Sequence, residues 1–190
     1  YSIIEDLDYV EADYTLNDSR DSITLGDGTL KGYTPRDYQQ DLIDEAIRLK
    51  SCIIKAPTGS GKTIVIASIL KQLAGKTGLL FFNKCGIEHG VAFGDGVDIK
   101  PLTLVTIQSI DKVIDTHLKT SEFIMFDEIH EFAKGKVAKK VLSSFPNATY
   151  RIGLSATPPK DRHSQLTLTS FLGKQIEYVT AKDLVDDGHL

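Results

Sequence analysis

Short apolar runs alternate with stretches of helical periodicity along most of this chain. Five apolar runs of three to five residues are long enough for buried strands, and each is followed by polar or glycine-rich sequence. They lie at Cys52–Ile54, Leu79–Phe82, Leu102–Val105, Phe123–Phe126 and Tyr150–Leu154. Strands of this kind, separated by helices, predict an α/β fold with a mostly parallel sheet and helices on both faces. In such sheets ligands bind beyond the carboxyl ends of the strands.

Two amphipathic stretches predict helices that cover this sheet. The first runs from about Pro35 to Lys50, with Thr34 as its N-cap and Pro35 as its first residue. The second begins at Lys62, directly after a glycine-rich turn, and continues to about Ala74. The first has apolar residues at the spacing of one helix face, namely Leu42, Ile43, Ala46, Ile47 and Leu49.

The connection between the second and third predicted strands does not fit this scheme. A crossover helix of roughly ten residues or more is expected there, but residues 83–90 contain two glycines and little helical periodicity. The crossover is therefore unusual, or residues have been lost between about Lys84 and Cys85. We expect the second, and an intact mass equal to the mass of this sequence would exclude it.

The charge is distributed unevenly along the chain. Residues 1–30 contain eight acidic residues and one arginine, whereas the whole chain has a net charge of −4, so residues 31–190 are mildly basic. We expect residues 1–30 to form an acidic arm or accessory segment outside the main domain. A mildly basic domain is compatible with a phosphate-binding surface, but charge does not by itself establish one.

Composition excludes several classes of protein. The hydrophobic share of 41% and the charged share of 25% are ordinary for a soluble globular protein. No apolar run approaches the roughly 20 residues that span a bilayer, and the acidic N-terminal sequence is unlike a signal peptide. The cysteines, Cys52 and Cys85, fit neither a disulfide framework nor a metal motif, and Cys52 is expected in the core. We therefore expect a cytoplasmic or nuclear protein that is neither secreted nor membrane-bound.

A phosphate-binding loop is the strongest chemical signal in the sequence. It lies between a predicted strand and a predicted helix and has the sequence Ala56-Pro57-Thr58-Gly59-Ser60-Gly61-Lys62-Thr63. Its small residues allow backbone N–H groups to surround a phosphate chain, and the helix N-terminus adds a partial positive charge. Lys62 can reach the terminal phosphates, and the Thr63 hydroxyl can bind Mg²⁺. Residues 57–63 are therefore predicted to bind a nucleotide.

An acidic pair follows the fourth predicted strand, in the sequence Asp127-Glu128-Ile129-His130. The first acid can hold Mg²⁺, and the second can orient or deprotonate the attacking water. Such a pair is common at strand ends and becomes specific only together with the phosphate loop. We assign Asp127, with Thr63, to Mg²⁺ and Glu128 as the general base. Lys62, Asp127 and Glu128 are therefore the predicted catalytic residues.

A third segment, Ser155-Ala156-Thr157, ends the fifth predicted strand and would by itself indicate only a polar turn. Together with the phosphate loop and the DEAH-like DEIH sequence, in this order and spacing, it resembles the superfamily-2 helicases. The resemblance covers residues 31–190 and implies a RecA-like P-loop NTPase domain. Three further stretches are most similar to the branch of phage recombination helicases, DNA-repair translocases and restriction-enzyme motors: Gly153–Pro158, Phe171–Gly173 and Asp187–Leu190.

The resemblance implies roles for three further groups of residues. Those upstream of the phosphate loop would contact the adenine base, and they are Arg36, Tyr38 and Gln39, with Gln39 at the edge of the base. Those that would couple the ATP site to the nucleic-acid track are His130, Ser155 and Thr157. Those that would bind the nucleic-acid backbone, after the second and third strands, are Asn83, Lys84, Thr106 and Gln108.

The resemblance also implies that the chain is one half of a motor. Residues 31–180 would form the first RecA-like domain, and residues 181–190 would begin the linker to a second such domain of the same polypeptide. In the family that second domain supplies arginines that complete the ATP site. This chain by itself is therefore expected to bind nucleotide weakly and to hydrolyse it very slowly.

The predicted function is that of an ATP-dependent DNA helicase or translocase, active in repair or recombination, that uses Mg²⁺ and ATP. DNA is favoured over RNA only through the family branch. An RNA helicase and a nucleotide-responsive clamp that does not separate strands are alternatives. A small-molecule kinase is disfavoured because no arginine-rich lid follows Thr157.

Overall fold

The computed structural model describes residues 24–30, 32–73, 78–81, 89–94, 96–106, 109–110, 113, 120–130, 141, 145 and 147–189. Of the predicted acidic arm, only residues 24–30 are within these ranges. The predicted nucleic-acid contacts Asn83, Lys84 and Gln108 lie outside them. Within the described ranges, no helix combines the length and the apolar character needed to cross a membrane.

The described residues form eight strands and four helices. The strands are β1 (Ser51–Lys55), β2 (Gly78–Phe81), β3 (Gly90–Phe93), β4 (Gly96–Asp98), β5 (Leu102–Val105), β6 (Phe123–Phe126), β7 (Tyr150–Ser155) and β8 (Gln175–Ile176). The helices are α1 (Asp37–Leu49), α2 (Lys62–Gln72), α3 (Arg162–Leu172) and α4 (Ala181–Asp186). All five predicted strands are present, and their bounds agree with the prediction to within one residue.

The strands form one sheet in the order β4-β3-β5-β2-β6-β7-β1-β8. Strand β4 is antiparallel to β3, and every other neighbouring pair is parallel. The carboxyl ends of the parallel strands therefore lie along one side of the sheet, which is termed the carboxyl edge below. The predicted α/β fold with a mostly parallel sheet is confirmed.

Apolar residues pack against both faces of the sheet. Helices α1 and α2 cover one face, where Leu42 and Ile66 are fully buried. Helix α3 covers the other face through Leu168 and Leu172. Burial of one such side chain contributes about 1.5–3 kcal/mol to folding. Cys52 is also fully buried, as predicted, and this burial raises the pKa of its thiol to about 12.

The first helix begins two residues later than predicted. Its N-cap is Arg36 and not Thr34, and the first helical residue is Asp37 and not Pro35. The cause is the side chain of Gln39, whose Oε1 accepts a hydrogen bond of 2.9 Å from the Arg36 backbone N–H. A glutamine at the third helical position can satisfy the N–H of the cap in this way.

The interval between β2 and β5 contains an element that was not predicted. Its described part forms the antiparallel pair of β3 and β4, and β3 also pairs with β5. These strands have only three or four residues in a glycine-rich sequence, so their hydrophobic pattern is too short to be recognised. Residues 82–88 lie outside the described ranges, and the expected loss of residues near Lys84 stays a prediction.

Both predicted flanking segments contact the domain where they are described. The Gly26 backbone N–H donates to the Gln72 carbonyl at 2.7 Å, at the end of α2. The segment Gly26–Gly28 thus lies against a helix end, and the adjacent bridge joins Leu30 and Tyr33. In the C-terminal segment, Leu184 of α4 is fully buried. The domain boundaries at residues 30 and 180 stay predictions.

Gly153→Ala is expected to destabilise the protein because β7, α3 and the residues after β6 are closely packed at this position. A Cβ at Gly153 would lie 2.9 Å from Leu172 Cδ1 and 3.1 Å from Ile129 Cγ1. Overpacking of this kind typically costs about 1–3 kcal/mol in the free energy of unfolding. The measurement is urea denaturation, with Gly96→Ala as control, because the nearest atom to its new Cβ is 3.6 Å away. Equal effects of the two substitutions would contradict the packing argument.

Candidate nucleotide-binding site

Three neighbouring strands carry the predicted catalytic segments to the same part of the carboxyl edge. The phosphate loop follows β1, Asp127 follows β6, and Ser155 ends β7. Strand β7 lies between β1 and β6 in the sheet. Each segment was predicted to lie at a strand end, and the order of the strands brings the three ends together.

The phosphate loop has a backbone that only glycine adopts easily. Gly59 and Gly61 have φ values of 83° and 77°, in the left-handed region. A Cβ at Gly61 would in addition collide with Gln39 Nε2. Gly61 is also the residue directly before α2, so the loop turns sharply into the N-terminus of the helix.

Polar groups of the loop are in place for an anionic ligand. Lys62 Nζ lies 3.3 Å from the Ala56 carbonyl oxygen and 3.5 Å from that of Pro57, which are weak interactions for an ammonium group. Ser60 is 1% exposed, and among the described residues its Oγ has no hydrogen-bond partner. A buried hydroxyl without a partner in a native protein calls for an explanation. The donor set of the loop therefore fits a phosphate chain.

The residues predicted to contact adenine are bonded to the phosphate loop. The Tyr38 hydroxyl and Gln39 Nε2 both donate to the Ser60 carbonyl oxygen, at 2.9 and 2.8 Å. Arg36 Nη1 in turn donates to the Tyr38 hydroxyl at 3.0 Å. Gln39 is 3% exposed, so it can reach an adenine edge only through its second N–H and the second lone pair of Oε1. The adenine contact stays a prediction, and a second role of Gln39 is to hold the loop.

The two acids after β6 differ in their surroundings. Asp127 is partly buried, and its Oδ1 accepts a hydrogen bond of 3.0 Å from the Glu128 backbone N–H. Burial, followed by the negative charge of Glu128, raises the pKa of Asp127 above its usual value. Glu128 is more exposed, and its Oε1 lies 4.0 Å from Lys62 Nζ. The two acids therefore differ both in burial and in the groups that they contact.

Glu128 also has an unusual backbone conformation. Its φ of 51° lies in the left-handed region, which a residue with a Cβ rarely adopts. Conformations of this kind cost about 1–3 kcal/mol and cluster at functional sites. In this case the turn separates the direction of the Glu128 side chain from that of Asp127.

A hydrogen-bond network links the acidic strand end to β7. His130 Nδ1 lies 2.8 Å from Ser155 Oγ and 3.2 Å from Glu128 Oε2. Ser155 Oγ also accepts a hydrogen bond of 3.1 Å from the Thr157 backbone N–H. The predicted coupling residues His130, Ser155 and Thr157 are therefore joined to Glu128 in one network. Thr157 takes part through its backbone and not its side chain.

Thr106 is at a different part of the carboxyl edge from the other predicted site residues. It follows β5, and β2, β6 and β7 lie between β5 and β1. At a strand spacing of about 4.8 Å, this places Thr106 about 19 Å from the phosphate loop along the sheet. Its Oγ1 donates to Ser109 Oγ at 3.2 Å. Of the predicted nucleic-acid contacts, Thr106 is the one within the described residues.

Asp127→Asn is expected to stabilise the nucleotide-free protein at neutral pH. Because its pKa is raised, the folded chain holds the Asp127 proton more tightly than the unfolded chain does. This tighter proton binding stabilises the folded chain below the unfolded pKa of about 3.9. The stabilisation is lost as the pH rises through the raised pKa of the folded chain. The asparagine variant avoids this loss and keeps the hydrogen bond to the Glu128 N–H. Its urea midpoint should therefore exceed that of the wild type at neutral pH.

Acidification should reduce this difference in the urea midpoint between the two proteins. Asp186→Asn, on the exposed face of α4, is the matched control and should leave the midpoint unchanged. A difference that stays constant between neutral and acidic pH would contradict the assignment to the Asp127 proton.

Known proteins are similar to this chain both in sequence and in fold. Residues 32–85 and 88–160 match the family described as Type III restriction enzyme, res subunit. The DNA 3'-5' translocase XPB2 of Sulfurisphaera tokodaii is 26% identical over 139 residues, which cover 66% of this chain and 31% of that protein. The chain spans 26% to 34% of the lengths of the curated relatives it matches.

Solved structures share the fold. The UvsW helicase from bacteriophage T4 matches with a TM-score of 0.62 and 17% identity, over 93% of this chain and 77% of that chain. The helicase domain of Hef from Pyrococcus furiosus matches with a TM-score of 0.61 and 18% identity, over 78% of this chain and 39% of that chain.

The family match is interrupted at residues 86–87, next to the junction where the sequence suggested a loss of residues.

Proposed function

The chain belongs to the Type III restriction enzyme, res subunit family, and from this premise we propose that it is the ATP-binding half of a DNA helicase or translocase. Its RecA-like fold and its three motifs are those of the first motor domain of superfamily-2 helicases. The relative XPB2 is named a DNA 3'-5' translocase and the structural neighbour UvsW a helicase. The activity proposed for this chain is hydrolysis of ATP coupled to movement along DNA or to its unwinding.

The observation that carries the proposal is the meeting of Lys62 and Glu128 beside the strand that holds Ser155. Lys62 Nζ and Glu128 Oε1 are 4.0 Å apart, and they come from the phosphate loop and from the end of β6. A lysine that binds terminal phosphates and a carboxylate that activates water are the two groups that hydrolysis of a phosphoanhydride requires. At this distance from Lys62 Nζ, the Glu128 carboxylate is close to the place where the terminal phosphate of ATP would lie.

The residues also fit a magnesium ion. Thr63 and Asp127 supply a hydroxyl and a carboxylate, which are oxygen ligands of the kind that Mg²⁺ binds together with phosphates. A magnesium ion held there would neutralise part of the charge that develops on the phosphates. A cation held there would favour the ionised form of Asp127 and so oppose the rise in its pKa that burial causes.

The chain's own residues then have distinct tasks. Lys62 and the loop N–H groups hold the phosphates, and Glu128 accepts the proton of the attacking water. His130 lies between Glu128 and Ser155 and so connects the base to the end of β7. A change in the position of Glu128 on hydrolysis would therefore be transmitted to Ser155 and the backbone of Thr157.

A second RecA-like domain of the same polypeptide would complete this site. An arginine supplied across such a site is typically worth about 10³–10⁵ in rate. We therefore expect the 190-residue chain to bind nucleotide weakly and to hydrolyse it very slowly. Closure of the second domain over the nucleotide would drive stepping along the strand.

Nucleic acid would bind at the carboxyl edge, with Thr106 and the predicted contacts Asn83, Lys84 and Gln108 on the phosphate backbone. Contacts of this type make binding depend on salt concentration but little on sequence. The proposal names DNA because the similar proteins include one named a DNA 3'-5' translocase and two named putative DNA 3'-5' helicases.

The test is ATP hydrolysis by the full-length polypeptide, with single-stranded DNA, branched duplex DNA and RNA as separate additions. Stimulation by DNA and not by RNA would support the proposal, and a strand-displacement assay would then separate a helicase from a translocase. Stimulation by RNA only would identify an RNA helicase. Hydrolysis that no nucleic acid stimulates would contradict the motor and favour a nucleotide-responsive clamp.

A further inference from the structure

An aromatic side chain stands exposed at the tip of the hairpin formed by β3 and β4. Phe93 is the last residue of β3 and is 72% exposed, the largest exposure among the large hydrophobic residues that the structure describes. Its neighbour in the chain, Ala92, is buried and belongs to the core cluster on the face of the sheet that α3 also covers. Because side chains alternate along a strand, the burial of Ala92 directs Phe93 to the opposite face.

The position of Phe93 relative to the sheet is well defined. Ala92 pairs with Val105 in the parallel ladder of β3 and β5, and the Thr106 backbone N–H donates to the Ala92 carbonyl at 3.4 Å. Phe93, at the end of β3, therefore lies at the same level of the sheet as Thr106, the residue directly after β5. The Phe93 backbone therefore lies at the carboxyl edge, one strand spacing of about 4.8 Å from the backbone of Thr106.

Exposed aromatic rings beside a phosphate-binding surface have a known physical use. Every nucleobase has a flat apolar face, and stacking on an aromatic ring binds single strands with little preference for sequence. A motor that moves along DNA can use contacts of this kind, because stacking accepts each base in turn. Among the described residues Phe93 belongs to neither core cluster, and its place at the carboxyl edge separates it from the exposed Leu166 of α3.

We propose that Phe93 stacks on a base of a single DNA strand whose backbone passes Thr106. This inference rests on the proposed function and adds a base contact to the backbone contacts expected there. Stacking on one aromatic ring contributes about 5- to 150-fold to affinity. The hairpin of β3 and β4 would then be a binding element of the motor domain.

The composition of the chain offers a direct probe. The sequence contains no tryptophan, so F93W in the 190-residue chain introduces a single tryptophan at the proposed contact and keeps an aromatic ring. Stacking of a base on an indole ring quenches its fluorescence. L166W is the matched control, because Leu166 is also an exposed apolar residue but lies on α3. Both variants would be titrated with oligodeoxythymidine and with an abasic oligonucleotide of the same length and charge.

Affinity measurements complete the test. The full-length polypeptide with F93A, F93L or F93W would be compared with the wild type by the anisotropy of labelled oligonucleotides. F93L keeps the apolar volume without the aromatic face, so it separates stacking from general hydrophobic contact. F93A and F93L should weaken binding of oligodeoxythymidine by about 5- to 150-fold, F93W should not, and none should change binding of the abasic strand.

The outcomes distinguish the stacking inference from the proposed function. Quenching of F93W by oligodeoxythymidine and not by the abasic strand, with L166W unchanged, would support stacking. Normal DNA binding by F93A, together with unquenched F93W, would overturn stacking and leave the proposed function standing. In that case Phe93 would be a candidate for contact with a protein. Failure of the wild type to bind either oligonucleotide would overturn both.

Discussion

Lys62→Ala is expected to weaken ATP binding to the 190-residue chain by about 10- to 150-fold, since a hydrogen bond to a charged group is worth about 1.5–3 kcal/mol. The substitution removes the one side-chain cation of the phosphate loop. It should leave the fold intact because the contacts of Lys62 Nζ within the described residues are long, at 3.3 and 3.5 Å to two carbonyl oxygens and 4.0 Å to Glu128 Oε1. Titration calorimetry with ATP and magnesium measures the change.

Lys71→Ala is the matched control for this prediction. Lys71 lies on the same helix, α2, but in its last turn and exposed to solvent, far from the phosphate loop. The control should bind ATP as the wild type does, and thermal unfolding should show both variants folded. Unchanged affinity of the Lys62 variant would mean that the loop does not hold phosphates.

Glu128→Gln is expected to reduce ATP hydrolysis by the full-length polypeptide by about 10²–10⁴-fold, the usual contribution of a general base. Binding of ATP should be little affected, because glutamine keeps the shape of the side chain and the left-handed backbone at this position is unchanged. The loss should therefore appear in kcat and not in KM. Steady-state hydrolysis in the presence of DNA is the measurement.

The control for the second prediction is Glu122→Gln. Glu122 directly precedes β6 and lies at the opposite edge of the sheet from Glu128, so its substitution should leave kcat within about twofold. A variant at Glu128 that keeps its kcat would exclude this residue as the base. A variant that loses ATP binding would instead assign Glu128 to the support of the phosphate loop.

The strands and the chemistry of their ends could be predicted from the sequence, for a physical reason. Runs such as Phe123–Phe126 are apolar throughout because both faces of a parallel strand are buried. Polar residues at the ends of these runs, such as Asp127 and Ser155, could therefore be assigned to one edge of a sheet. The fold and the neighbourhood of the phosphate loop follow from this pattern.

Other features depend on information that a local pattern does not contain. The bond between His130 and Ser155 requires β6 and β7 to be neighbours, and strand order is a property of the whole sheet. The left-handed backbone of Glu128 has no sequence signal, since glutamate is not a residue that favours it. The true start of α1 depends on a side chain that folds back, and Gln39 was instead predicted to face the adenine.

The place of β7 between β1 and β6 has a consequence for the choice of nucleotide probes. The phosphate loop and the acidic pair are two strand spacings apart, about 9.6 Å between backbones, and side chains narrow this interval further. A chain of phosphates can enter such a slot, whereas a ribose and a purine are too wide. The nucleoside would then lie outside, over the start of α1, where Tyr38 is bonded to the loop. Fluorescent groups attached to the ribose should consequently be tolerated, and groups attached to the terminal phosphate should not.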